Sequence, residues 1–139
     1  MDTDFSDNLM RIAGSPLGEH LGWKSVEGKP DKALLQMPFA KHNVTIGNMV
    51  HGGAIAALAD AAATAACWAT DLVTEQSRGT TIALNINYIH AALGCDLYAR
   101  AEVVQRGGSI CVAEVDIETE DGTRVARATA TYKLSHGKK

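Results

Sequence analysis

The spacing of apolar residues changes character along this chain, and each change predicts an element. Phe5, Leu9 and Ile12 recur at helical intervals and the pattern stops near Gly14 and Pro16, which predicts a short amphipathic helix within residues 1–16. Residues 20–27 and 32–37 read as two strands joined by Gly28-Lys29-Pro30-Asp31, a turn sequence. Residues 38–50 read as a loop. From Gly52 to about Ala69 the chain is mostly alanine with Ile55 and Leu58, leaving no wide polar face. This predicts a long helix buried nearly all round.

After Asp71 the period becomes two. Ile82, Leu84, Ile86 and Tyr88 alternate with Ala83, Asn85 and Asn87. A segment over residues 96–105 follows, then Gly107-Gly108. Cys111, Ala113, Val115 and Ile117 then alternate with Val112, Glu114, Asp116 and Glu118, Asp121-Gly122 marks a tight hairpin, and Ala126, Ala128, Ala130 and Tyr132 alternate again. The predicted order is helix, two strands, long helix, then three or four antiparallel strands. One apolar sheet face needs one apolar helix to cover it, so the expected class is α+β, a sheet wrapped round a central helix.

Composition narrows the function. The 139 residues suit one domain, 1–139, with 135–139 as a frayed tail. The formal net charge of −3 argues against a nucleic-acid partner. Met1-Asp2-Thr3-Asp4 lacks the pattern of a signal peptide, and the alanine-rich stretch is too short and too small-residued to span a bilayer, so no membrane association is expected. Cys67, Cys95 and Cys111 are odd in number and lack metal-ligand spacing; they read as buried free thiols in a reducing compartment, which points to the cytoplasm. His20, His42, His90 and His136 show no zinc spacing, so no metal is expected. No serine-centred nucleophile elbow or Cys–His pair is evident.

The informative chemistry lies at the start of the long helix. Asp60 sits among Leu58, Ala59, Ala61, Ala62 and Ala63, where a carboxylate is unfavourable unless hydrogen-bonded or used. His51-Gly52-Gly53 opens the same helix. A helix N-terminus offers unpaired N–H groups and partial positive charge, and two glycines leave it open to an oxygen gaining charge during acyl transfer. Asp60 then serves as nucleophile or as general base for water. At 1.5 Å per residue, Gly52 and Asp60 stand roughly 12 Å apart, so one carbonyl cannot touch both within one chain. A catalytic reading therefore requires a dimer with two equivalent sites across a two-fold axis. The bland reading stands beside it: a Gly-Gly turn and a satisfied structural aspartate.

The run from Gly47 to Asp60 resembles the hotdog-fold acyl-CoA thioesterases of the phenylacetate-pathway (PaaI-like) family, with a Gly-x-x-x-His-Gly-Gly helix start and an acid two turns in. Residues 80–89, 91–94, 107–115 and the C-terminal strand extend the resemblance over about residues 17–134. It implies a hotdog fold, a homodimer whose sheets join, commonly a homotetramer of two dimers, and hydrolysis of an acyl-CoA. Coenzyme A is then part of the substrate, and no cofactor is implied. Carried over by position, Asp60 is nucleophile or general base, the Gly52 N–H polarises the thioester carbonyl, His51 shapes the helix start, and Thr81 orients the water or the carboxylate. Thr45 stands where the family often has an asparagine that binds the thioester or water; Asn43 and Asn48 are nearby substitutes. Gly53, Asn87 and Tyr88 are candidates to line the substrate channel. Arg106, Gly108 and Ser109 are candidates for the phosphates or pantetheine, with Arg124 and Arg127 as rivals. The acyl group expected is small and aromatic (phenylacetyl-like) or of medium chain length. A hotdog dehydratase acting on 3-hydroxyacyl thioesters, or a non-enzymatic acyl-CoA-binding or sensing module, are the alternatives.

Overall fold

A computed structural model describes residues 5–137 of the chain; Met1–Asp4 and Lys138–Lys139 lie outside the described residues. Helix α1 (Ser6–Ala13) follows the Phe5/Leu9/Ile12 pattern and buries Leu9 completely. The next element corrects the expected strand over residues 20–27. Pro16–Leu21 is a second helix, α2, and strand β1 begins only at Lys24. The signals for it are local. Ser15 caps the helix by accepting from the Gly18 N–H at 3.2 Å, Pro16 occupies its first turn, and Gly22 ends it at φ 76°. Strand β1 (Lys24–Lys29) pairs with β2 (Lys32–Met37) across a turn in which Asp31 takes φ 62°.

The loop that follows holds a short 3₁₀ turn, Lys41–Asn43, and folds back on itself through a Val44–Val50 bridge. Helix α3 (Gly52–Trp68) then crosses the molecule. Strands β3 (Arg78–Tyr88), β4 (Leu97–Arg106), β5 (Ile110–Glu118) and β6 (Arg124–Ser135) complete an antiparallel sheet in the order β1-β2-β4-β5-β6-β3. The inward positions of β4, β5 and β6 are the alternating ones: Leu97, Ala99 and Ala101; Cys111, Ala113, Val115 and Ile117; Ala126, Ala128, Ala130 and Tyr132. They meet Ala59, Ala62, Ala65 and Ala66 of α3, all fully buried. Alanine on both layers lets helix and sheet approach closely, while Leu35, Leu58, Leu97 and Ile117 fill the volume that remains.

One expectation about this packing needs correction. Helix α3 is not buried all round, because Ala56, Ala57, Asp60 and Thr64 form a half-covered stripe. The sheet wraps the helix as expected, with β3 at one of its edges. The tail also holds longer than expected. Ser135 belongs to β6, and His136 is tied to the loop before β3 by a 2.8 Å contact between its Nδ1 and Ser77 Oγ. Cys67 and Cys111 are buried free thiols, whereas Cys95 is only half-buried. No helix among the described residues is long and apolar enough to cross a membrane.

Candidate active site at the start of the central helix

His51 is the N-cap of α3. Its backbone N–H donates to the Asn43 carbonyl at 2.8 Å, its own carbonyl accepts from Ile55 N–H at 3.1 Å, and its Nδ1 accepts from the Gly53 N–H at 2.8 Å. An accepting Nδ1 carries no proton, so the neutral ring is the Nε2–H tautomer. Gly53 is thereby committed to His51 and is not an open donor. Among the described residues no partner takes the Gly52 N–H. Beside it lies an apolar cavity of about 260 Å³, lined by Thr45, Val50, Gly52, Ile55, Tyr88 and Ala92 among others. Tyr88 also donates its hydroxyl to the Gly52 carbonyl at 2.7 Å.

Asp60 lies two turns on, in the half-covered stripe, and its Oδ1 accepts from Thr81 Oγ1 at 2.6 Å. The period of β3 does not account for this bond. Counting back by twos from Ile86 and Leu84 puts Ile82 inward and Thr81 outward. The β3–β6 register slips between Thr81 and Ala83, so Thr81, Leu84 and Ile86 are half-buried while Ile82 is 55% exposed. The bulge re-aims Thr81 at Asp60, as bulges beside active sites commonly do. Farther along the same helix, Trp68 Nε1 donates to the Tyr132 hydroxyl at 2.8 Å. Burial pushes that hydroxyl above its ordinary pKa, against the lowering effect of the Trp68 bond.

The remaining candidates divide. Thr45 is exposed and lines the cavity near Gly52. Asn43 is 3% exposed, and neither its side-chain nitrogen nor its oxygen has a hydrogen-bond partner among the described residues. Asn48 is exposed and packs on Gly94, whose N–H its carbonyl accepts at 2.9 Å. Asn87 follows Ile86 in the strand and so projects from the opposite face, away from the Tyr88 cavity. Arg106, Gly108 and Ser109 are not brought to the N-terminus of α3 at all. Arg106 is 17% exposed, bonds Asp31 Oδ1 at 2.8 Å and donates to the Cys67 carbonyl at 3.0 Å, at the far end of the helix. Expected as a donor to phosphate, Arg106 is here engaged within the chain. Its rivals Arg124 and Arg127 are engaged with Asp116 and Glu114 on the outer face of the sheet. Among the described residues no three His, Cys, Asp or Glu side chains gather into a possible metal site.

Sequence reading missed Ile55 and Ala92 as cavity walls and Tyr88 as a partner of the helix backbone. Only the helical period of Ile55 on His51 offered a signal.

Residues 47–126 match a family model described as the thioesterase superfamily. The chain is 27% identical to the medium/long-chain acyl-CoA thioesterase YigI of Salmonella typhimurium, over 93% of this chain and 96% of that protein. Its structure resembles that of a conserved protein from Pseudomonas aeruginosa, with a TM-score of 0.82 and 26% identity, covering 90% of this chain and 98% of that one. It also resembles the E. coli PaaI protein from the phenylacetic acid degradation operon, with a TM-score of 0.80 and 20% identity over 95% of this chain and 96% of that one. The shared architecture of sheet and central helix is the hotdog fold.

Proposed function

The chain belongs to the thioesterase superfamily, and from that premise we propose that it hydrolyses acyl-coenzyme A thioesters at sites shared between two copies of itself. What carries the reading is the separation of two groups on one unbroken helix. The Gly52 N–H is open at its first turn, and Asp60, held by Thr81, lies eight residues further along. Eight residues span roughly 12 Å, too far for one thioester carbonyl to meet both. Two antiparallel copies of α3 bring Gly52 of one copy to Asp60 of the other. The half-covered stripe of α3 and the edge strand β3, with Ile82 exposed, are the surfaces such a dimer would cover. A pair of such dimers forms the tetramer.

In this reading the thioester carbonyl oxygen accepts the Gly52 N–H of one subunit, which stabilises the charge it gains. Asp60 of the other takes a proton from water, the water oxygen bonds to the carbonyl carbon, and the carbon–sulfur bond breaks. The thiolate of coenzyme A leaves and is protonated. Direct attack by Asp60 on the same carbon gives an acyl anhydride that water then opens. Water labelled with heavy oxygen separates the two routes, since only the anhydride route carries label into Asp60 in a single turnover. Thr81 orients the carboxylate, His51 caps the helix, and Thr45 lines the approach. Of the two acyl classes expected, the medium chain has the stronger support, because a relative 27% identical over nearly its whole length is named for medium and long chains.

The test is thiol release from a panel of acyl-CoAs by the protein and by Asp60→Asn, with oligomeric state measured by light scattering. Turnover that collapses in an intact dimer supports the reading. An active monomer sinks the shared site, and tight binding without thiol release moves the protein to the binding-module alternative.

A further inference from the structure

We infer that Tyr88 is a positioning residue: it fixes the direction of the Gly52 N–H by clamping the next peptide against His51. The inference rests on the proposed reading in which that N–H meets the thioester carbonyl. The peptide joining Gly52 to Gly53 is held at both ends by side chains. Its carbonyl oxygen accepts the Tyr88 hydroxyl at 2.7 Å, and its N–H donates to His51 Nδ1 at 2.8 Å. The preceding peptide is fixed through the His51 carbonyl, which accepts from Ile55 at 3.1 Å, and the His51 N–H is fixed on Asn43 at 2.8 Å. From the His51 N–H to the Gly53 N–H, the Gly52 N–H is the one backbone group without a partner among the described residues.

The need for a clamp follows from the glycines. Two consecutive glycines in a first helical turn leave the backbone open to a ligand and give it the widest conformational freedom of any pair. A donor that wanders must be reoriented during the reaction, which forfeits the advantage of a fixed dipole. Tyr88 restores the restraint without closing the approach. Its ring lies alongside Gly52, 3.5 Å from where a Cβ would stand, and its backbone is anchored in the sheet opposite Ala126. The clamp therefore ties the helix start to β3 and β6. Tyr88 is half-exposed, so loss of the hydroxyl alone is compatible with an intact fold.

Tyr88→Phe keeps the ring and the cavity wall and removes only the hydrogen bond. The expected result is a kcat lower by on the order of tenfold, equal across the acyl panel, with KM changed less than about twofold. Amide exchange over residues 51–56 should be faster in the variant. A residue that merely lines the channel would instead shift KM or the chain-length profile, and either shift overturns the inference, as does an unchanged kcat. Asp60→Asn belongs in the same series, because its activity tests the thioesterase reading independently of Tyr88. Should the unaltered protein show no turnover, the exchange measurement still decides the clamp, and unchanged exchange refutes it.

Discussion

The two ends of α3 differ in how their backbone groups are satisfied. At the C-terminal end four successive carbonyls have partners: Ala66 takes the Ala69 N–H, Cys67 takes Arg106, Trp68 takes Asn8 Nδ2 at 3.2 Å, and Ala69 takes the Asp31 N–H at 2.9 Å. The partners come from α1, from the β1–β2 turn and from β4. At the N-terminal end the partners are equally specific, yet the Gly52 N–H is left open beside an apolar cavity. Every helix has unsatisfied groups at both ends. Here one end is tied to three elements of the fold, while the other leaves the Gly52 N–H free in a rigid frame. The contrast separates stability from chemistry along one element.

That contrast predicts that substitutions at the two ends move different observables. The largest effect belongs to Asp60→Asn, for which kcat should fall by about 10²-fold or more while the thermal midpoint stays within a few degrees. Parallel falls in activity and melting temperature would show that Asp60 is a structural group. Arg106→Met comes next and should act on stability, by roughly 2 kcal/mol, since it strips the Cys67 carbonyl of its partner and Asp31 of its ion pair; the exposure of Asp31 holds the figure down. Chemical denaturation measures it, and a KM that rises with no loss of stability would return Arg106 to the substrate. Thr81→Val should lower kcat by about tenfold, because Asp60 loses its 2.6 Å donor while the β-branched shape is kept. Asn8→Ala should cost about 1 kcal/mol and leave turnover per folded molecule unchanged.

The effect smallest at neutral pH concerns Cys67, at the C-terminal end. Burial, reinforced by the neighbouring Cys111, pushes its thiol from an ordinary 9.0 up to about 12. Folding therefore favours the protonated thiol. The stabilisation is full below pH 9.0 and is lost as pH rises from there toward 12, because the unfolded chain releases the proton first. Melting temperatures should fall across that alkaline window, and Cys67→Ala should flatten the fall. The same burial makes Cys67 slow toward alkylating reagents at pH 8, with the half-buried Cys95 the faster thiol.

Much of the fold was legible because its signals are local. The alternation of Cys111 to Ile117 and of Ala126 to Tyr132, and the alanine run of α3, announce their elements in any context. The strand expected over residues 20–27 began too early, and the helix over Pro16–Leu21 was missed although Ser15, Pro16 and Gly22 carry cap signals, because a six-residue helix has too few turns to show a period. In the site, Gly52 and Asp60 stood out as an open helix start and a carboxylate among alanines. Thr81 was reachable only through resemblance, since the strand period assigns it to the wrong face and only the slipped β3–β6 register corrects that.

The sequence by itself determined the order of the main elements, the open start of α3 and the chemical groups available, because helix and strand periods act over a few positions. The tertiary structure decided which groups meet. Thr81 reaches Asp60 across 21 positions, Tyr88 reaches Gly52 across 36, and Arg106 reaches Asp31 across 75. Such pairings depend on a bulge, an edge strand and the close fit of alanine layers. They exist only once the whole sheet has closed round the helix, and no local spacing encodes them.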